Sequence, residues 1–388
     1  MILVVGLSTR MLVQSIYKSR EVFALDVFGD RDLQGKVHGW ENIGNVNHKI
    51  DEQKFLEVFN KVVNEFSPSA WIHTSGFEGK YNLITKAEKL LTHYGLSEDT
   101  IQKIRSPASF FRALRKLNIN HPETIVDKLN VLPSSGWLRK NFDTAGGLGI
   151  FKNNVTESGA NGVYFQKEIK GKPLSVFFLV EQENIVIFGF CENLYVEKFD
   201  LPYLYQGLVG PVRLSDEVIN KIIIIVKKIV NEFHLIGLCG LDFILLDEDV
   251  FVIELNPRPT GAIEIFENLL NKSLLNMHCN AFINYKKKKL FQKKINFLGK
   301  ISFSHKVIGT KIINADRNVL LSLDCLHKLE SLSYCRDIPN IKNFKIGDPV
   351  CSVMVESSNI TQVKSLLSNA DSKVSDLITY NNRHLKLR

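Results

Sequence analysis

The chain has 388 residues, 45% of them apolar and 23% charged, and a formal net charge of +8. That is too long for one average domain and too ordinary in composition for a fibrous or disordered chain, so two or three packed domains are expected. No apolar run approaches the roughly 20 residues of a membrane span, and the run Ile2 to Val5 is too short for a signal-peptide core, so a cytoplasmic protein with no membrane partner is expected.

The six cysteines form no C-x-x-C pair and have no zinc spacing, so they read as free, mostly buried thiols. Part of the positive charge lies in Lys286 to Lys289 with Lys293 and Lys294. No aromatic residues interleave with that run, so it reads as a solvated loop and no nucleic-acid partner is expected.

The first segment opens with the strand ILVVG and the turn Gly6-Leu7-Ser8-Thr9-Arg10, then a helix toward Lys18 and the strand VFALD. This βαβ opening predicts a parallel sheet, and the turn at the helix start is a candidate anion site. A nicotinamide-binding fold is disfavoured, because one glycine stands where G-x-G-x-x-G needs three. Glu57 to Phe66 is helical by period, and Ala70 to Thr74 is a strand in which His73 reads as a core residue. The loop Ser75 to Gly79 follows at the strand's carboxyl end, where open α/β sheets collect ligands. Glu78 there is a candidate for holding a substrate amine, or simply an acid at the start of the next helix, near Tyr81.

Two helical segments fill Glu98 to Leu117. Next come the short strand Trp137-Leu138-Arg139-Lys140 and the loop Asp143-Thr144-Ala145-Gly146-Gly147-Leu148-Gly149. Glycines let backbone N–H groups approach phosphate oxygens, and a lysine on the adjoining strand can meet an α-phosphate as a point charge, which singles out Lys140. A glycine loop by itself is more often a flexible turn. Tyr164 to Ile169, Ser175 to Val180 and Ile185 to Cys191 read as strands. Asn193 to Gln206 reads as loop-rich, with a turn at Gly207 to Pro211 before a helix over Asp216 to Phe233.

The stretch Gly240 to Gly261, GLDFILLDEDVFVIELNPRPTG, reads as a hairpin around the loop Asp247-Glu248-Asp249. A three-residue loop puts Leu246 opposite Val250 and Asp242 opposite Glu254. Side chains alternate along a strand, so Asn256 joins Glu254 on one face, while Phe243, Leu245, Phe251, Ile253 and Leu255 take the other. Like charges facing across a sheet are destabilising unless a cation lies between them, and oxygen-only ligands suit Mg2+ or Mn2+ with a nucleotide's phosphates completing the shell. The alternative is a buried acid pair bonded to arginines or backbone amides. After the hairpin, Ile263 to Asn271 and Ser273 to Tyr285 are helical by period. Strands at Lys300 to His305 and Pro349 to Val355 and a helix over Ile360 to Ala370 complete a small α/β lobe.

The spacing Asp242, Glu254, Asn256, Arg258 resembles the metal and catalytic signature of the ATP-grasp superfamily, in which an acid on one strand is followed by E-x-N-x-R on the next. Within it the chain is similar to biotin-carboxylase-related carboxylate–amine ligases, including tyramine–glutamate ligase-type proteins. The resemblance implies an ATP-grasp fold of the α/β class with α+β elements. It divides the chain into an N-terminal parallel-sheet domain over residues 1–98, a nucleotide domain over 99–298 with a glycine-rich lid at about 121–170, and a C-terminal lobe over 299–388.

The resemblance also implies binding of ATP by Lys140, Thr144, Ala145, Gly146, Gly147, Gly149, Gln166, Lys167 and Ile169. It implies Mg2+ or Mn2+ on Asp242, Glu254 and Asn256, and a catalytic role for Arg258. The sequence departs from the pattern near Pro107, where many relatives have a phosphate-contacting lysine; Lys103 and Arg105 are the nearby cations. The activity implied is ligation of a small carboxylate to an amine, in a possible homodimer. Carboxylation with bicarbonate, or ATP binding without turnover, is the alternative.

Overall fold

The structure is a computed structural model and describes residues 1–126, 135–152, 162–182, 184–285, 294–297 and 306–385. At its start, Ile2–Gly6 lies between the parallel strands Val22–Asp26 and Ala70–His73, with Gly39–Asn42 at one edge. All residues of the first two strands are buried. That fits their unbroken apolar sequences, since a parallel sheet is covered on both faces. The helices Arg10–Ile16 and Glu52–Phe66 connect the strands, and Asp51 caps the second by accepting from the Lys54 amide.

The expected anion site at the first turn is already filled. The Asp26 carboxylate accepts from the amide and hydroxyl of Thr9 at 2.6 and 2.7 Å and from the amides of Phe28 and Gly29. An internal carboxylate thus takes the place a phosphate would take.

A second sheet of nine strands forms the body of the molecule. Its edge is the hairpin Gly237–Leu246 and Asp249–Asn256, followed in space by Lys172–Glu181, Asn184–Lys198 and Leu201–Gly210. The strands Val307–Asn314, Pro349–Ser357 and Cys335–Arg336 extend the same sheet, so the C-terminal lobe is continuous with the centre. The helix Asp216–Phe233, capped by the Ser215 side chain, buries Ile222, Val226, Ile229 and Phe233 at helical spacing.

The segment expected as loop, Asn193 to Gln206, is instead the far half of one long strand and most of the next, and Gly207 to Gly210 continues as strand to a cis peptide at Pro211. Register shifts between Leu194 and Tyr195 and between Val196 and Lys198 break the alternation that marks a strand in sequence. A small sheet of Thr124–Ile125, Val163–Lys167, Trp137–Asn141 and Ile150–Lys152 stands over one side of the hairpin.

One buried cation ties the parts together. The Arg10 guanidinium, 3% exposed, is bidentate to Glu264 and also to Asp337, at 2.8 and 3.2 Å in the second case. All six cysteines are buried, and none of them is in a disulfide. The lysine run Lys286 to Lys289 and the strand expected at Lys300 to His305 lie outside the described residues.

Candidate active site

The hairpin brings the two acids together, though not by the expected turn. Leu246 pairs with Asp249, leaving a two-residue loop with Asp247 at φ +54°. That register alone would set Asp242 against Ile253. A bulge intervenes: Phe243 faces Val252, Asp242 faces Glu254, and Ile253 is the extra residue. It also re-sorts the faces. Val250, Val252 and Leu255 are buried, whereas Ile253, expected in the core, lines the cleft.

The Asp242 carboxylate accepts from Asn256 Nδ2 at 2.9 Å and from Asn193 Nδ2 at 3.3 Å, and Ser175 Oγ in turn donates to Asn193 Oδ1. Burial foremost, then the charge of Glu254, raises the Asp242 pKa from 3.8 to about 7. Glu254 is ion-paired with Arg105, whose Nη2 also donates to the carbonyls of Phe142 and Thr144 at 3.3 and 3.1 Å. Burial opposes the Arg105 charge, but carboxylates, Glu254 first among them, hold it above the ordinary arginine value.

Lys140 sits across the cleft on the small sheet and donates to Gln166 Oε1 at 2.6 Å; Gln166 donates in turn to Thr124 Oγ1 at 3.1 Å. Leu138, Lys140, Tyr164 and Gln166 share one strand face, which explains the contact. Burial lowers the Lys140 pKa to about 8, with Glu254 pulling the other way. The glycine turn is docked on the strand Leu201–Gly210. Gly146 accepts from the Tyr205 amide at 3.0 Å, and a Cβ on Gly147 would lie 1.8 Å from the Tyr203 carbonyl oxygen. Gly146 and Gly147 have φ of +65° and +77°, which only glycine adopts without cost.

Arg258 lies 3.4 Å from Glu78 Oε1, and Glu78 also accepts from the Gly76 amide at 2.7 Å. Glu78 therefore faces the site and is not an acid at a helix start; the helix begins later, at Asn82. His73 is a core residue as expected, bonded to His93 at 2.9 Å.

Every residue assigned from the sequence to ATP, metal, amine or catalysis lines one cleft of about 1540 Å³, except Gly149, whose place under the turn is set by Thr144 and Asn141. Lys167 is more outlying: its amine is half exposed and 3.9 Å from Glu123. Sequence reasoning left Arg105 without a role and did not name Asn193 or Tyr195. A cation directly before the Ser-Pro start of the helix Pro107–Lys116 was the available signal for Arg105. Lys103 is not among the residues lining the cleft.

The donor set fits a hard divalent cation: two opposed carboxylates, the Asp242 pKa raised by burial and by Glu254, and an amide side chain at Asn256, all oxygen donors. Among the described residues, no three of His, Cys, Asp and Glu gather to hold a metal, so such an ion would draw further ligands from a bound nucleotide or water.

Residues 107–262 match the model of the ATP-grasp domain. Residues 246–327 also match the GPR128 GAIN subdomain B model, across a stretch that includes undescribed residues. An uncharacterized protein of Methanocaldococcus jannaschii is 24% identical over 95% of this chain and 90% of its own. The L-amino acid ligase of Bacillus licheniformis superposes with a TM-score of 0.68 at 14% identity, covering 96% of this chain and 97% of that one. The biotin carboxylase domain dimer of Hydrogenobacter thermophilus 2-oxoglutarate carboxylase, solved with MgADP, ADP and bicarbonate, superposes with a TM-score of 0.66 at 13% identity over 92% and 86% of the two chains. Residues 107–262 thus match an ATP-grasp domain, and the chain has the ATP-grasp fold.

Proposed function

We propose that the protein is an ATP-dependent ligase that joins a small carboxylate to an amine, releasing ADP and phosphate. The observation that carries this reading is the opposition of Asp242 and Glu254, with Asn256 beside them, in a cleft shared with Lys140 and the glycine turn. Asp242, Glu254 and Asn256 would hold Mg2+ or Mn2+, which supplies charge neutralisation at the β- and γ-phosphate oxygens. Lys140 and the amides of Thr144, Ala145, Gly146 and Gly147 would receive the remaining phosphates, and Gln166, Lys167 and the backbone at Ile169 would border the adenine.

A carboxylate oxygen attacks the γ-phosphorus and ADP leaves; the amine then attacks the acyl carbon, loses a proton and expels phosphate. Arg258 would stabilise the oxyanion of the second step, and Glu78, 3.4 Å from it, would receive an ammonium group. The docked glycine turn covers the cleft and limits hydrolysis of the acyl phosphate. A cytoplasmic location and a homodimer are part of the same reading; among the described residues no helix is long and apolar enough to cross a membrane.

The test is ADP release from ATP and Mg2+ across a panel of acids, bicarbonate included, and amines, with mass spectrometry of products. ADP release requiring both an acid and an amine, with a new amide, is the expected result. Turnover with bicarbonate alone would make it a carboxylase, and tight ATP binding without turnover under any pairing would make it a sensor.

A further inference from the structure

Arg105 ends the helix Glu98–Arg105, and Ser106 after it caps the helix Pro107–Lys116, so the side chain projects from a rigid corner. Its guanidinium reaches two separate parts of the site, the Glu254 carboxylate on the hairpin and the carbonyls of Phe142 and Thr144 at the root of the glycine turn. The side chain is 14% exposed, and its buried Nε has no hydrogen-bond partner among the described residues. A buried guanidinium that loses its carboxylate is costly unless another anion replaces it.

We propose that Arg105 makes divalent-cation binding conditional on a nucleoside polyphosphate, because a cation arriving alone must take Glu254 from a guanidinium that then has no carboxylate bonded to it. A cation arriving with phosphate oxygens brings the replacement anion with it, and the free Nε is a donor ready for it. The same fork holds the glycine turn against the hairpin before any ligand enters. Arg105 is in this sense a positioning residue. The cation half rests on the ligase reading above; the hold on the glycine turn does not.

The experiment compares the full-length wild-type chain with Arg105→Gln and Arg105→Lys. Mn2+ binding is followed by electron paramagnetic resonance with and without ATP, and hydrogen exchange is followed over residues 142–150 without ligand. In Arg105→Gln, nucleotide-free Mn2+ binding should tighten by about tenfold, the equivalent of one charge-assisted contact no longer competing. Arg105→Lys keeps a cation against Glu254 but lacks the planar fork, so its Mn2+ binding should stay within about twofold of wild type while the glycine turn exchanges faster.

A generally damaged site would weaken Mn2+ binding, the opposite sign. Unchanged or weaker nucleotide-free Mn2+ binding in Arg105→Gln overturns the proposal, as does unchanged exchange of the turn in both variants. If Arg105→Gln does not fold, the exchange result for Arg105→Lys decides. A wild-type chain that binds no Mn2+ with ATP overturns the ligase reading and the cation half together, and leaves the exchange result to judge the turn.

Discussion

Asp242→Asn should stabilise the nucleotide-free protein at neutral pH. Burial, and after it the charge of Glu254, raises the Asp242 carboxyl from 3.8 to about 7. The folded chain therefore holds a proton there that the unfolded chain has already released. The site costs nothing below about pH 4, where both states are protonated, and costs progressively more as pH rises, levelling off above about pH 7. At about 1.4 kcal/mol for each pH unit, that interval amounts to roughly 4 kcal/mol as an upper bound. Asparagine carries no charge and so removes the cost of ionisation, while its single oxygen keeps one of the two contacts from Asn193 and Asn256. Urea denaturation of wild type and Asp242→Asn at pH 4.5, 6 and 8 should give a stability gap that opens toward pH 8 in favour of the variant. Saturating Mg2+ and ATP should close the gap, since they favour the ionised carboxylate of the wild type. Parallel pH profiles for the two proteins would refute the claim that desolvation and the facing Glu254 together raise the Asp242 carboxyl.

Three further outcomes follow from the same geometry. Lys140 is charged only below about pH 8, so ATP affinity should fall by up to about tenfold per pH unit above that point and stay flat in Lys140→Arg, as titration calorimetry would show. Gly147→Ala puts a methyl group 1.8 Å from the Tyr203 carbonyl oxygen; the turn must leave its seat, and ADP formation should drop by at least about tenfold with thermal stability nearly unchanged, unlike a core defect. Asn193→Leu removes a donor to Asp242 and strands the Ser175 hydroxyl, which should cost about 1–3 kcal/mol in denaturation and raise the Mg2+ requirement of turnover. Wild-type behaviour of any variant would count against its assigned contact.

The parts of the site that repeat a local pattern were legible in the sequence. Asp242, Glu254 and Asn256 sit on two consecutive strands, where alternation places them, and Arg258 follows two residues past the second strand. Even there the agreement came through two departures from the expected hairpin: a loop one residue shorter, and a bulge at Ile253 that restores the count. A bulge leaves no mark in the hydrophobic pattern, so the acid pair was predicted in the right place with the wrong turn. Arg105 and Asn193 depend on contacts between segments far apart in sequence, 149 residues for Arg105 with Glu254 and 49 for Asn193 with Asp242. No periodicity encodes these. The stretch holding Asn193, Tyr195 and Tyr205 was misread because its register shifts and half-buried aromatics hide its strand character.

The salt-bridge knot at Arg10 limits which motions the molecule can use. Swinging the first sheet away from the rest would strip Glu264 and Asp337 from a guanidinium that has no water to fall back on, a loss of about 3–5 kcal/mol per broken pair. The small sheet that carries the glycine turn is held to the body by fewer buried charges, through contacts such as Gly146 to Tyr205 and Arg105 to the carbonyls of Phe142 and Thr144. The knot likewise makes the first and last thirds of the chain poor candidates for separate expression or for exchange with those of another protein. A fragment lacking Asp337 would keep a buried arginine that has lost one of its two bidentate carboxylates.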